Sequence, residues 1–459
     1  MSGFDLVIRN ARLESGEAAD IGVRDGAIVS LAAQTGGARE LDARGALALP
    51  GLHDHHLHLF AAAARRESVD LGGLVQVAAI IARLAEFAAS RPPGTWLRAV
   101  AYDERAMAAL PERHVLDAWS PANPLRLQDR TGALWVLNSA ALALAGNDLP
   151  PGAERDSRGY PTGRFWREDA WLRRALPHAI PDLAALGADL VRLGLTGLTD
   201  AGAANDGAAA RLLVDAGLPQ RLTVMGTEDL PEGAGYKRGA LKLQFDERDP
   251  PPLEQLAARI AVARGQGRAV AAHCVTVTEL ALYLAALDEA GGARAGDRIE
   301  HGSEIPLAMI PEIARRALTV VTNPVLVHDR GDRYLATVPA DEQADLYRAA
   351  TLAEAGIALA GGSDAPYGTP DPWLAMRTAA RRLTAGGHLL GPAERLAPRR
   401  ALDLFLGEPE RPGQVRRLVP GGAADIVLVE GAMADVLGDF DGARVIATVI
   451  GGALAFHRN

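Results

Sequence analysis

Pro50-Gly51-Leu52-His53-Asp54-His55-His56-Leu57-His58 packs four histidines into six residues of a 459-residue chain that holds 11 in all. On an extended strand, side chains at i and i+2 share a face, so the His56 and His58 imidazoles can converge on one ion. A solvated histidine tract is the competing explanation. The run before it, Ala46-Leu47-Ala48-Leu49, opposes that, because it reads as a buried strand feeding straight into the cluster. His53 and His55 share the other face and are expected to serve packing around the site.

Working outward, eight short apolar runs end in or near residues 49–58, 195–200, 221–225, 240–246, 269–273, 298–301, 319–323 and 358–364. Stretches rich in Ala, Leu, Glu and Arg, such as Leu253–Gly265, Val277–Ala290 and Ile310–Arg316, separate most of them. Strands alternating with helices predict a parallel sheet, and eight such units predict an α/β fold of the (β/α)8 TIM-like barrel type. An open doubly wound sheet is the alternative, but no Gly-rich phosphate fingerprint follows an early strand. Both chain ends read as short strands bounded by turn residues, and neither buries a core alone. The expectation is a small β-sandwich domain from residues 1–48 and 410–459, around a metal-binding barrel at 49–409. An insertion at about 60–190 interrupts the barrel after its first strand, with helix-like Leu74–Ser90, strand-like Pro124–Gln128 and a loop at Asp148–Gly163. Insertions of this length often shape binding sites.

Composition narrows the function. The net charge of −9 gives no basic patch for nucleic acid. No run of about 18 apolar residues suggests a membrane span. Met1-Ser2-Gly3-Phe4-Asp5-Leu6 lacks the basic and apolar regions of a signal peptide, so a cytoplasmic protein is expected. Cys274 is the sole cysteine, which rules out an intrachain disulfide and a cysteine-based zinc site. The expected partner is a small-molecule substrate, with a homo-oligomer left open.

The polar ends of the strands carry the chemistry. In Leu241-Lys242-Leu243-Gln244-Phe245-Asp246, alternation puts the apolar set against helices and Lys242 inside the barrel. Strand five ends on His273, strand six on His301 and strand eight on Asp364, after Gly361-Gly362. Taken alone, each has a plain structural explanation: a core histidine, a solvated lysine or one paired with Asp246, a helix cap. Taken together, His-x-His, Lys, His, His and Asp on successive barrel strands point to a divalent ion such as zinc.

With Arg298-Ile299-Glu300-His301 and Gly362-Ser363-Asp364-Ala365-Pro366 added to the opening motif, the sequence resembles the amidohydrolase superfamily of metal-dependent hydrolases. Asn138-Ser139-Ala140-Ala141-Leu142 and Gly159-Tyr160-Pro161-Thr162-Gly163 narrow the likeness to a long-insertion branch that includes formamide deformylases. The resemblance implies one or two zinc or other divalent ions held by His56, His58, His273, His301 and Asp364, with Lys242 as a carboxylated bridge. It implies that an ion-activated hydroxide attacks a non-peptide C–N bond of an amide, N-formyl compound or cyclic amide. Asp364 would shuttle the proton, and His301 or His328 would steady the oxyanion. Deamination of an aminated heterocycle uses the same parts, and a non-catalytic metal-binding scaffold is a third possibility. Tyr102, Asp129, Arg130, Trp135 and Trp166 of the insertion are candidate pocket-lining residues, Arg130 foremost. The chain departs from the family pattern in three places: Ala133 follows Gly132 where histidine is usual, Glu247 follows Asp246 where glycine is frequent, and no Thr-x-Asn-Pro-Ala segment occurs near Phe405–Pro412.

Overall fold

The computed structural model describes every residue except 1–2, 34–35, 108–109, 177–179, 246 and 459. Asp246, a predicted companion of Lys242, therefore lies outside the described residues. Eight parallel strands run in the order in which the sequence meets them: Leu52–Leu57, Leu195–Asp200, Arg221–Gly226, Lys237–Leu243, Val270–Cys274, Arg298–His301, Thr319–Thr322 and Ala358–Gly361. They are called barrel strands one to eight below.

Alternation builds the barrel wall. Leu241, Leu243, Val270, Ala272, Ile299 and Val320 pack outward on Leu256 and Ile260 of helix Leu253–Gly265 and on Leu280, Tyr283 and Leu284 of helix Val277–Glu289. The residues between them, Lys242, Ala271, His273 and Glu300, are left for the interior face. Arg268 enters strand five with its guanidinium bound to the carbonyls of Gly239, Thr227 and Ala240 at 2.7–3.1 Å.

Two backbone hydrogen bonds join the last strand to the first. Asp364 N donates to His56 O, and His58 N donates to Ala365 O, each at 2.8 Å. The approach is so close that a Cβ on Gly362 would lie 2.6 Å from His56 Cβ, so only glycine fits there.

Both chain ends join one eight-stranded sheet. Phe4–Arg12, Ala18–Arg24, Ala27–Leu31, Gly37–Asp42 and Leu47–Pro50 come from the front, and Ile426–Val429, Val445–Ile450 and Ala453–His457 from the back. The halves meet where Ile426–Val429 runs antiparallel to Leu47–Pro50, over a core of Ile8, Ile21, Val23, Ala48, Ile426, Leu428 and Val449. This corrects the expectation of one strand through residues 49–58. The apolar run belongs to the end sheet, and barrel strand one starts afresh at Leu52. The break falls at Gly51, where a Cβ would stand 2.2 Å from the Thr196 side chain.

Residues 60–182 form a second compact unit. Its six-stranded sheet runs, in spatial order, Ala153–Arg155, Pro161–Trp166, Leu134–Leu137, Leu125–Asp129, Leu97–Tyr102 and Val69–Asp70. Helix Val77–Ala89 matches the expected helical stretch. The expected loop at Asp148–Gly163 instead contains antiparallel pairing between Ala153–Arg155 and Pro161–Trp166. Gly159 turns that hairpin at a φ of 82°. Its glycine, proline and aspartate residues mark the turn and not a wider loop. Among the described residues no helix is long and apolar enough to cross a membrane.

Deleting residues 415–459 removes the partner of Leu47–Pro50. The truncated chain is expected to lose hydrogen-exchange protection at Leu47, Ala48 and Leu49 and to melt more than about 5 °C lower. Unchanged protection and melting would show that the front strands stand without the back ones.

Candidate metal centre

The carboxyl ends of strands one, five, six and eight meet in one cluster. One ligand atom each from His56, His301 and Asp364 lies within 4.8 Å of the others, and all three residues are buried. Asp364 Oδ1 is 3.6 Å from His56 Nε2 and 3.3 Å from His58 Nε2, and Asp364 Oδ2 is 3.9 Å from His301 Nδ1. The His301 ring lies 4.6 Å, centroid to centroid, from both His56 and His273. The structure thus gathers His56, His58, His273, His301 and Asp364 in one place.

Strict alternation would not have put His301 there. Ile299 faces the helices, and a regular strand would send His301 the same way. The His301 backbone instead turns left-handed, with φ 68°, and the ring swings inward. Asp364 is left-handed too, with φ 55°. Non-glycine residues held in this region carry a conformational cost and cluster at functional sites.

Protonation follows from burial and from neighbours. Burial pushes the His56 and His301 imidazoles well below their ordinary range and lowers His273 to about 4. Neutral imidazole is the form that binds metal. Burial alone would raise Asp364, but His301, a hydrogen bond from His58 and the field of Arg330 outweigh it and hold the carboxylate ionised.

Several partners that tune the cluster were not singled out from the sequence. His56 Nδ1 hydrogen-bonds to Glu300 Oε2, and Arg298 pairs with the same carboxylate. Arg298 also donates to His55 O at 2.7 Å. Burial works against a charged Glu300, yet Arg298, Lys242 and His56 together keep it ionised. An ionised acceptor requires the proton on His56 Nδ1, which leaves Nε2 as a bare lone pair directed at Asp364. Asn323 acts similarly on His301. Its Oδ1 is 2.8 Å from His301 Nδ1, while its Nδ2 donates to Gly362 O at 2.9 Å. Asp54 Oδ1 accepts from His56 N at 3.1 Å and Ser363 N at 3.0 Å. Burial pushes the Asp54 carboxyl up to about 6. The sequence did hold a signal for Glu300: it shares the inward face with Arg298, immediately before a ligand candidate.

The donor set suits a divalent ion. His56 Nε2 and Lys242 Nζ are buried polar atoms without a hydrogen-bond partner, and such orphans are costly unless something else binds them. Lys242 is buried opposite Leu241 and Leu243, and burial lowers its pKa in spite of the field of Glu300.

The remaining candidates have the following surroundings, each within its own unit. His328 lies on helix Val325–Thr337 with Nδ1 2.8 Å from Asp329 Oδ1. The His53 and His55 rings lie 4.5 Å apart at a 34° tilt, with His53 Nε2 2.8 Å from Thr199 Oγ1. In the separate insertion, Tyr102 is fully buried with its ring 6.1 Å from Trp119. Arg130 Nε donates to Glu104 Oε2 at 2.9 Å. Asp129 Oδ1 accepts from Leu134 N at 3.0 Å, and Trp135 lies under the Arg126 guanidinium at 3.9 Å. Trp166 is 44% exposed, with Nε1 3.3 Å from Glu154 Oε2.

Known proteins resemble this chain in sequence and in fold. The sequence profile of the amidohydrolase family matches residues 39–456. N-substituted formamide deformylase from Arthrobacter pascens is 26% identical over 495 aligned positions, covering 92% of this chain and 90% of that one. Among solved structures, an uncharacterized metal-dependent hydrolase from Pyrococcus horikoshii OT3 superposes with a TM-score of 0.76 at 18% identity, covering 99% and 100% of the two chains. Atrazine chlorohydrolase from Arthrobacter aurescens TC1, solved with zinc, gives a TM-score of 0.58 at 15% identity, covering 98% of this chain and 94% of that one.

Glu300→Gln removes the charge that fixes His56. It is expected to weaken zinc affinity about 10–100-fold in a chelator competition, with a native circular dichroism spectrum. Wild-type affinity in the folded variant would show that Glu300 does not tune His56.

Proposed function

Because this chain belongs to the amidohydrolase family, we propose that its barrel holds one or two divalent ions, zinc first among them, and cleaves a C–N bond in a small amide, N-formyl compound or cyclic amide. The chain is a hydrolase acting on carbon–nitrogen bonds other than peptide bonds; the substrate is what is proposed. Similarity to the formamide deformylase supports the N-formyl member of that set. The observation that carries the reading is the convergence of His56, His301 and Asp364 beside two partnerless buried nitrogens.

In this reading His56, His58, His273, His301 and Asp364 hold the metal, and Lys242 completes the set as a carbamate. Burial favours the neutral lysine amine, the form that adds CO2 and releases a proton. A divalent ion there supplies a Lewis acid that polarises a carbonyl and acidifies water.

The chain's own groups handle the proton and the orientation. Asp364, kept ionised, accepts a proton from the attacking water on its carboxylate and passes it to the leaving nitrogen. Glu300 and Asn323 fix the tautomers of His56 and His301, so neither ring reorients during turnover. A substrate contact from His328 on the barrel belongs to this proposal as well.

Asp364→Asn is expected to lower kcat by about 10²–10⁴-fold while the fold persists; near-normal turnover would remove Asp364 from proton transfer. A screen of N-formyl, N-acyl and cyclic amides with added zinc should yield a free amine and a carboxylate. Ammonia released from an aminated heterocycle, without carboxylate, would establish deamination instead.

A further inference from the structure

Beside the cluster stands a guanidinium that the chemistry above does not use. Arg330 lies on helix Val325–Thr337, which follows barrel strand seven. It is half-buried. Its Nη2 donates to Tyr367 O at 2.9 Å, in the segment after strand eight. Arg330 and Asp364 act on each other's charge, so Arg330 sits within electrostatic reach of the reacting groups. Among the described residues no carboxylate pairs with Arg330.

Several other arginines withdrawn from water are tied to carboxylates or to several carbonyls. Arg348 pairs with Asp345 and Glu394, and Arg259 with Glu228. Arg382 donates to the carbonyls of Leu390, Tyr347 and Leu346 at 2.8–3.0 Å. Arg330 is held by the Tyr367 carbonyl, the Tyr334 phenol and the field of Asp364 but makes no direct ion pair among the described residues, so its five-donor guanidinium keeps N–H groups for an anionic ligand.

The neighbours of Arg330 suit such a ligand. Tyr334 is four residues further along the same helix, on the same face. Its hydroxyl is 3.3 Å from that of Tyr347, and both phenols act on the Arg330 charge. Tyr347 is 3% exposed and held left-handed, with φ 48°, while its N donates to Ser303 O at 2.8 Å beyond strand six. Segments after strands six, seven and eight thus bring a planar guanidinium and two phenol hydroxyls to the catalytic end of the barrel, where substrates of this fold bind. A guanidinium fork matches a carboxylate in two-point contact, and phenols supply further donors. His328, two residues before Arg330, lies about 200° around the helix and cannot share this face.

We propose that Arg330, with the Tyr334 and Tyr347 hydroxyls, anchors a carboxylate on the substrate, so that the enzyme selects amides bearing a carboxylate over neutral ones. This rests on the C–N hydrolase reading above and specifies its substrate class. Arg330 binds and places the substrate; the proton transfers remain with Asp364.

The test pairs two probes, N-formyl-phenylalanine and N-formyl-phenethylamine, which differ by the carboxylate. Binding to the zinc-loaded full chain is measured by calorimetry, and turnover by amine release. Wild type is expected to bind the carboxylate probe about 10–100-fold more tightly, the range for hydrogen bonds to a charged group. Arg330→Gln should bring the two probes within about threefold of each other, mainly through KM, and Tyr334→Phe should narrow the gap part way. Arg330→Gln that lowers both probes equally, keeping their ratio, would make Arg330 a brace for the Tyr367 segment and overturn the proposal. So would a wild type with no preference, or one that binds neither probe. The two readings fail separately. Preferential binding without turnover sustains the anchor and counts against C–N hydrolysis; turnover without preference does the reverse.

Discussion

The seam where the barrel closes is also where its ligands stand. Asp364 N to His56 O and His58 N to Ala365 O hold strand eight against strand one. The Asp54 carboxylate spans the same seam through the amides of His56 and Ser363. His56, His58 and Asp364 therefore converge only in a closed barrel, and the glycine at 362 permits the approach that closes it. Fold and site share one constraint: displacing strand eight by one residue would break the closing bonds and carry Asp364 away from both histidines.

Electrostatics then decide what the seam can hold. Burial favours the neutral His56 and His301 imidazoles, while Arg298 keeps Glu300 charged and the His58 hydrogen bond and the field of Arg330 favour the ionised Asp364. Buried ion pairs such as Arg298 with Glu300 add little net stability, because desolvation offsets the attraction. Their effect here is orientation. The Arg298–Glu300–His56 chain presents one His56 nitrogen as a lone pair, and Asn323 does the same for His301. Such a set of lone pairs and carboxylate oxygens is built to receive a cation.

Much of this was legible in the sequence because it follows simple periodicity. The strand endings at Asp200 and His301 follow from the apolar runs that precede them, and the inward lysine at 242 from period-two alternation, while strand eight stops at Gly361, three residues before the Asp364 that its run led to. What escaped depends on local backbone or distant packing. The left-handed turn at His301 reverses the face that alternation assigns it. The run at Leu47–Pro50 reads as the start of barrel strand one, yet Ile426–Val429, far along the chain, claims it for the end sheet. The hairpin at Ala153–Trp166 is masked by its own turn residues. Glu300 and Asn323 were missed because their role, orienting a neighbour's ring, leaves no spacing signature. Arg330 went unnoticed beside the more conspicuous His328, and helical geometry separates the two.

The most direct test of the metal centre is a titration of metal-free protein with zinc, following bound metal and amide hydrolysis together. The structure predicts that hydrolysis is absent without metal, rises in step with binding and saturates at one or two ions per chain, and that His56→Ala in the same titration lowers the saturating stoichiometry or affinity. Hydrolysis by the metal-free chain, or zinc binding that His56→Ala leaves untouched, would contradict the assignment of the seam as a metal site.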